Sequence, residues 1–348
     1  MLTEYMVKVL VVEDSITTRR FLVKLINDMP GLMVCGEAYD GLEAVRLTAE
    51  LQPDVISMDI HMPRMDGVEA TRQIMIHTPT PVVIASNGIG QREVDFSMQA
   101  LAAGAVAVIQ KPTAAPSDDA RRMDYVRLLR YMAKVKVIRR YASLPLASLP
   151  MSLQPRVNAK MVVIGASAGG PAALAEILTH LPADFPLPII SVQHLDPDFV
   201  EGFVQWLNNR SALTVRIAVE GEHPMAGHVL VAPGGAHTVI RSDGTIGLVW
   251  DKGNYRHQPA VDMLFLSAAE VFGKEVIAVL LTGMGTDGAE GMAQLYKLGA
   301  HTIVQDEATS VVYGMPAAAI KQNAAEFVLP DVKIAEALIE LTQQTLIR

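Results

Sequence analysis

Two hydrophobic patterns alternate along this chain. Short continuous apolar runs rich in Val and Ile stop abruptly at polar or small residues. Between them, apolar positions recur every three or four residues. Residues 7–12, 33–36, 55–58, 81–85 and 105–109 read as buried strands. Residues 15–28, 41–51, 68–76 and 94–103 read as helices, the first with Ser15 as its N-cap. The pattern restarts at residue 160, with strands at 160–164, 187–192, 215–218, 228–232, 276–281 and 301–304. Residues 172–181, 199–209, 261–272, 317–322 and 332–346 are helical, as is a segment ending at 298. Residues 238–241 and 245–250 flank Ser242-Asp243-Gly244, a hairpin signal. Strands alternating with helices through short connections predict α/β architecture, with two doubly wound parallel sheets and a hairpin inserted in the second.

Between the two series, residues 121–141 are rich in Arg and Lys, with Met123, Val126, Leu129 and Ala133 at helical spacing. The first part reads as the last helix of the leading domain, the rest as a basic linker helix. Ser143, Pro145, Pro150 and Pro155 then mark a semi-extended linker. The expected division is 1–122, a linker over 123–158, and 159–348.

Of the 348 residues, 50% are apolar and 19% charged, enough for real cores and unlike a disordered chain. A net charge of -8 argues against nucleic acid as the main partner. The single cysteine, Cys35, excludes an internal disulfide and a cysteine metal cluster. The first residues lack the pattern of a signal peptide, and no apolar run is long enough for a membrane helix. The expectation is a cytoplasmic protein without membrane insertion.

The chemistry-bearing residues fall at the carboxyl ends of strands, the ligand-binding edge of such sheets. In the first series these are Glu13 and Asp14, then Asp59, Ser86 and Lys111. Three converging carboxylates repel one another unless a cation sits among them, and Mg²⁺ with oxygen ligands fits Glu13, Asp14 and Asp59. Asp59 is then the candidate phosphoryl acceptor, with Ser86 and Lys111 binding phosphoryl oxygens. Asp54 and Asp66 read as turn residues and His61 as loop surface.

In the second series, residues 161–171 read as strand, tight turn and helix start, with Ser167 at the apex. Gly165-Ala-Ser167-Ala-Gly169 fits a nucleophile elbow. A dinucleotide turn lacking its middle glycine, or small residues serving only close packing, are the other readings of this stretch. His194 and Asp287 also follow strands. A hydroxyl, an imidazole and a carboxylate brought to one edge make a nucleophile, its base and the orienter of that base. The chain order Ser…His…Asp differs from the α/β-hydrolases, which run Ser…Asp…His.

The segments Glu13-Asp14-Ser15, Met58-Asp59-Ile-His-Met-Pro63-Arg-Met-Asp66-Gly67 and Lys111-Pro112 resemble the receiver domain of bacterial response regulators, a flavodoxin-like fold. Gly165–Pro171, Gln193-His194-Leu195, Ala232-Pro233-Gly234-Gly235, Leu281–Gly288 and Ser310–Pro316 resemble the Rossmann-like catalytic domain of chemotaxis protein-glutamate methylesterases. The order receiver then esterase is that family's architecture. The resemblance implies hydrolysis of glutamyl γ-methyl esters, and deamidation of glutamines, on methyl-accepting chemoreceptors. It implies a chemotaxis-type histidine kinase as phosphoryl donor. It assigns Ser167 as nucleophile, His194 as base then acid, Asp287 as orienter and the Met284 N–H as oxyanion donor, with no cofactor for hydrolysis.

Two departures stand out. Ala168 replaces a frequent Thr, and His257-Gln258-Pro259-Ala260-Val261-Asp262 replaces His-Arg-Pro-Ser-Val-Asp. His257 is the rival base. His223, His228, His237 and His301 read as loop or surface residues. Asp196, Asp198 and Asp306 are rival orienters, whereas Asp262 reads as capping or packing near the start of its helix. The competing functions are a phosphorylation-switched binding or scaffold module with a weak hydrolase-like domain, and a nucleotide-dependent enzyme.

Overall fold

Strands buried on both faces must be apolar on both faces, and the continuous Val/Ile runs supply this. The structure is a computed structural model that describes residues 6–87, 90–137, 159–251 and 253–343. The chain divides into two units, Met1–Tyr141 and Ala142–Arg348. The first contains β1 (Val7–Val12), α1 (Ile16–Asn27), β2 (Leu32–Ala38), α2 (Gly41–Leu51), β3 (Val55–Met58), α3 (Gly67–His77), β4 (Val82–Ser86), α4 (Gln91–Ala103), β5 (Ala107–Gln110) and α5 (Asp119–Met132). Its sheet is parallel, in the order β2-β1-β3-β4-β5. Order reverses between β1 and β3, so the ends of those strands face an open crevice.

Helix starts follow the capping chemistry written in the sequence. Ser15 accepts the Thr18 N–H, Asp40 that of Glu43 and Asp66 that of Glu69. Glu43 reaches back to the Tyr39 N–H, so the start of α2 is satisfied from both directions. The expected basic linker helix is not seen as far as the description extends. Helix α5 ends at Met132, and residues 135–137 are not helical. Its buried stripe of Tyr125, Val126, Leu129 and Met132 ends there, and Val135 beyond it is buried outside a helix. The Pro/Ser stretch lies outside the described residues.

The second unit contains β6 (Met161–Ala166), α6 (Gly170–His180), β7 (Ile189–Gln193), α7 (Pro197–Asn208), β8 (Thr214–Ile217), β9 (His228–Val231), β10 (His237–Ile240), β11 (Ile246–Val249), α8 (Val261–Phe272), β12 (Val276–Leu280), α9 (Ala289–Lys297), β13 (His301–Gln305), α10 (Met315–Lys321), β14 (Phe327–Leu329) and α11 (Asp331–Gln343). Seven strands form one sheet, β14-β13-β12-β6-β7-β9-β8, parallel throughout. The β10–β11 pair is the antiparallel hairpin expected around Asp243-Gly244. It is tied to α8 by the Ile240 N–H, which donates to Ser267 Oγ. Strand β14 is an addition to the sequence reading, since three residues are too few to carry a periodic signal. Strands β7, β6 and β12 are neighbours, which determines what can meet at their ends.

One polar link is sealed inside the first core. Ser57 Oγ and Tyr125 Oη lie 2.6 Å apart with both residues buried, joining β3 to α5. Tyr125→Phe leaves Ser57 without that partner and should lower first-unit stability by about 1–3 kcal/mol. Urea unfolding of the full chain checks this, and Ser57→Ala combined with Tyr125→Phe should recover part of the loss.

Candidate functional site

Ser167 stands just past the end of β6 and His194 just past β7, where Ala166 pairs with Gln193. Parallel neighbours lie about 4.8 Å apart, so these two residues emerge side by side. Asp287 comes from the loop after β12, on the other flank of β6. The turn around Ser167 needs unusual backbone. Gly169 has φ +79°, and a Cβ there would lie 2.6 Å from Val311 Cβ. Gly283 lies beneath the serine, and a Cβ on it would lie 2.7 Å from Ser167 Cβ.

Main-chain clamps hold the turn. Gln193 Nε2 donates to the carbonyls of Ser167 and His194, each at 2.9 Å. The Ser167 N–H donates to the Thr282 carbonyl at 3.1 Å. Thr282 Oγ1 lies 2.9 Å from the Ala168 carbonyl and accepts the Val312 N–H at 2.9 Å. The Ser167 N–H is therefore engaged, whereas the Met284 N–H has no acceptor among the described residues.

His194 Nε2 is 2.8 Å from Asp287 Oδ2. The same carboxylate accepts the Val261 N–H at 2.8 Å and the Asp262 N–H at 3.0 Å, at the start of α8. Burial opposes the Asp287 charge. The His194 hydrogen bond and charge and the two N–H groups outweigh that effect and hold its carboxyl below the usual range. An ionised carboxylate only accepts, so Nε2 carries the imidazole proton. Nδ1 is then left as the basic nitrogen, and it is buried without a hydrogen-bond partner among the described residues.

Asp262 shows the opposite perturbation. Burial, reinforced by the Asp287 anion and opposed by the Gly291 N–H, raises its carboxyl to about 7. Its Oδ1 accepts that N–H at 2.8 Å, tying α8 to α9.

Other candidates are placed elsewhere. Asp196 caps α7 by accepting the Asp198 N–H, and Asp306 binds the Thr309 N–H and hydroxyl. His257 stacks on His194, with ring centroids 4.2 Å apart and planes inclined by 20°. Two surface assignments need correction. His237 is fully buried in β10, where Nδ1 accepts the Ala260 N–H at 3.0 Å. His301 is buried in β13 beside Glu326. Each histidine sits in a strand with a polar partner that makes burial tolerable. The Gln193 clamp was not foreseen, although a buried glutamine immediately before His194 is a detectable signal.

In the first unit, Glu13, Asp14 and Asp59 place ligand atoms within 4.8 Å of one another. Lys111 Nζ sits 2.6 Å from Glu13 and 2.8 Å from Asp59, with all three side chains buried. Burial raises the Glu13 carboxyl; Lys111 opposes this and the Asp59 charge adds to it. One ammonium among three carboxylates leaves negative charge uncompensated. The all-oxygen donor set fits a hard divalent cation such as Mg²⁺. Ser86 is buried at the end of β4, and its hydroxyl donates to Glu93 at 3.2 Å. Glu93 also pairs with His61 at 2.8 Å, so His61 is anchored to α4 as well as lying on the surface. Asp54, at the bend before β3, accepts the Lys8 N–H of β1, and Asp66 caps α3 by accepting the Glu69 N–H.

Comparison with known proteins matches residues 162–338 to the CheB methylesterase family model and residues 9–118 to the response regulator receiver domain. The protein-glutamate methylesterase/protein-glutamine glutaminase of Nitrosospira multiformis is 44% identical, over 97% of this chain and 98% of its own. Protein-glutamate methylesterase/protein-glutamine glutaminase 4 of Geobacter metallireducens is 44% identical, over 97% of this chain and all of its own. The crystal structure of the Thermotoga maritima CheB methylesterase catalytic domain is 41% identical. It matches with a TM-score of 0.51, covering 53% of this chain and 100% of that one.

The Asp262 carboxyl gives a pH test of the site. Its pKa is raised from 3.8 unfolded to about 7 folded, so the folded state binds the extra proton between these values. The associated stability is fully present below about pH 4 and is lost as pH rises through about 7. Asp262→Asn should flatten the decline in stability over that window, checked by denaturant unfolding at a series of pH values.

Proposed function

The chain belongs to the CheB methylesterase family, a protein-glutamate methylesterase/protein-glutamine glutaminase with a receiver domain, and from that premise we propose that Ser167, His194 and Asp287 form its catalytic triad and Asp59 its phosphorylation site. The observation that carries the triad is the Asp287–His194 pair, which leaves a buried basic Nδ1 at the strand end adjoining Ser167. In this reading, Ser167 Oγ attacks the γ-carbonyl carbon of a glutamyl methyl ester and Nδ1 takes its proton. The oxyanion accepts the Met284 N–H. Collapse breaks the bond to methoxide, which leaves as methanol with the proton from Nδ1. Water, deprotonated at the same nitrogen, then attacks the acyl carbon; the bond to Ser167 Oγ breaks, Oγ takes the proton back from Nδ1, and the glutamate side chain is released. Asp287 stays ionised throughout and balances the transient imidazolium. A glutamine substrate follows the same route and releases ammonia. No group beyond the chain's own residues is called on for hydrolysis.

In the receiver, Glu13, Asp14 and Asp59 would hold Mg²⁺, which supplies charge neutralisation for the incoming phosphoryl group. Asp59 is the acceptor, with Lys111 and the Ser86 hydroxyl on the phosphoryl oxygens. The donor is a chemotaxis-type histidine kinase, the substrates are methyl-accepting chemoreceptors and the compartment is the cytoplasm. Among the described residues no helix is long and apolar enough to cross a membrane. Phosphorylation raises the hydrolase rate. The Asp287–His194 geometry favours this over a scaffold role, which has no use for a buried base at the strand end adjoining a serine.

Methanol release from methylated receptor by the full chain, with and without a small phosphoryl donor, tests both halves. Ser167→Ala should lower the rate at least ~10³-fold. Asp59→Asn should keep the basal rate and lose the response to the donor. Undiminished hydrolysis by the serine variant would sink the triad assignment.

A further inference from the structure

His194 has one side-chain hydrogen bond, from Nε2 to Asp287. The Cβ–Cγ bond and this hydrogen bond hold two points of the ring, and tilt of its plane about the line between them is set by what packs on its faces. Among the described residues Nδ1 has no hydrogen-bond partner to limit that tilt. One face is covered by His257, stacked at 4.2 Å and 20°. Near-parallel rings at this distance form a favourable aromatic pair. The lone pair and N–H bonds of an imidazole lie in the ring plane. A stacked neighbour therefore offers no in-line path for a proton to or from His194.

His257 is itself held by the segment that carries it. Gln258 Nε2 donates to the Trp250 carbonyl at 2.9 Å, and the Ala260 N–H donates to buried His237. Val261 and Asp262, next along the chain, supply the two N–H groups on Asp287. One short strap thus grips the orienting carboxylate with its backbone and covers the imidazole with a side chain.

We propose that His257 is a positioning residue, whose ring face sets the plane of His194 so that Nδ1 points toward Ser167 while Nε2–H stays on Asp287. The proposal rests on the serine-hydrolase reading for its kinetic consequence but not for its geometry. A planar aromatic ring is all the role requires, so phenylalanine should substitute and alanine should not.

The test uses the full chain carrying His257→Ala, His257→Phe or His194→Ala, with methanol release as one readout. His257→Ala should lower kcat roughly 10–100-fold, the scale of a misplaced reacting group, with KM nearly unchanged. His257→Phe should stay within a few-fold of the parent. Nitrogen-15 spectra of the imidazoles give a second readout independent of turnover. His194 should show one Nε2–H tautomer in the parent and in His257→Phe; in His257→Ala the freed ring plane should intermittently break the Nε2–H bond to Asp287, so that the Nδ1–H form is also sampled. Full kcat with an unchanged His194 tautomer in the alanine variant would overturn the proposal. So would a phenylalanine variant as slow as His194→Ala, which would make His257 a proton carrier. If Ser167→Ala still hydrolyses ester, the hydrolase reading falls while the spectra still decide the stack.

Discussion

A carboxylate taken out of water stays ionised only where other groups replace the lost hydration. Asp287 is placed where an imidazole N–H and two backbone N–H groups do so. Much of the catalytic unit is arranged around that requirement. Helix α8 must begin at Val261, because its first N–H groups are the solvating ones. The Asp262 carboxyl beside this anion is pushed up to about 7, by burial first and by the Asp287 charge in addition. The tautomer of His194 follows from the charge on Asp287, and the free Nδ1 follows from the tautomer. One buried charge thus orders a helix start, a second carboxyl and an imidazole.

The receiver presents the reverse problem. Glu13, Asp14 and Asp59 crowd negative charge together, and Lys111 is the cation paired with two of them. Ion pairs of this kind are a poor source of stability, since desolvation offsets most of their attraction. Their value lies in a site whose charge is incomplete and which favours further cations. The first unit leaves charge to be compensated, whereas the second compensates its charge internally. Both sites nevertheless occupy the same topological position, beyond the carboxyl ends of parallel strands.

That shared position explains how much was legible in the sequence. A residue ending a buried apolar run is committed to one sheet edge, so Asp59 and Lys111 could be brought to one edge of the first sheet, and Ser167 and His194 to one edge of the second, from pattern alone. Local signals also carried the caps at Ser15, Asp40 and Asp66. What escaped was contact made by loops and by brief elements. His257 follows an antiparallel hairpin, and no periodicity tells where such a loop returns. His237 and His301 looked polar enough for the surface, but the partners that let them be buried lie 23 and 25 residues away. The end of the helix at Met132 has no breaker to announce it, since Ala133 and Lys134 that follow are good helix formers.

The turn at Ser167 is held almost wholly through main-chain atoms: Gln193 on two carbonyls, Thr282 on the Ala168 carbonyl, and the Ser167 N–H on Thr282. Every peptide has a carbonyl, whatever its side chain. The identity of residue 168 therefore carries little information about the shape of the turn, and Ala168 stands there without removing any of these bonds. In evolutionary terms such a turn is permissive to drift at residue 168, provided the replacement fits its buried position. The constraint has moved to Gln193, Thr282 and the glycines beneath, where a change alters geometry rather than decoration.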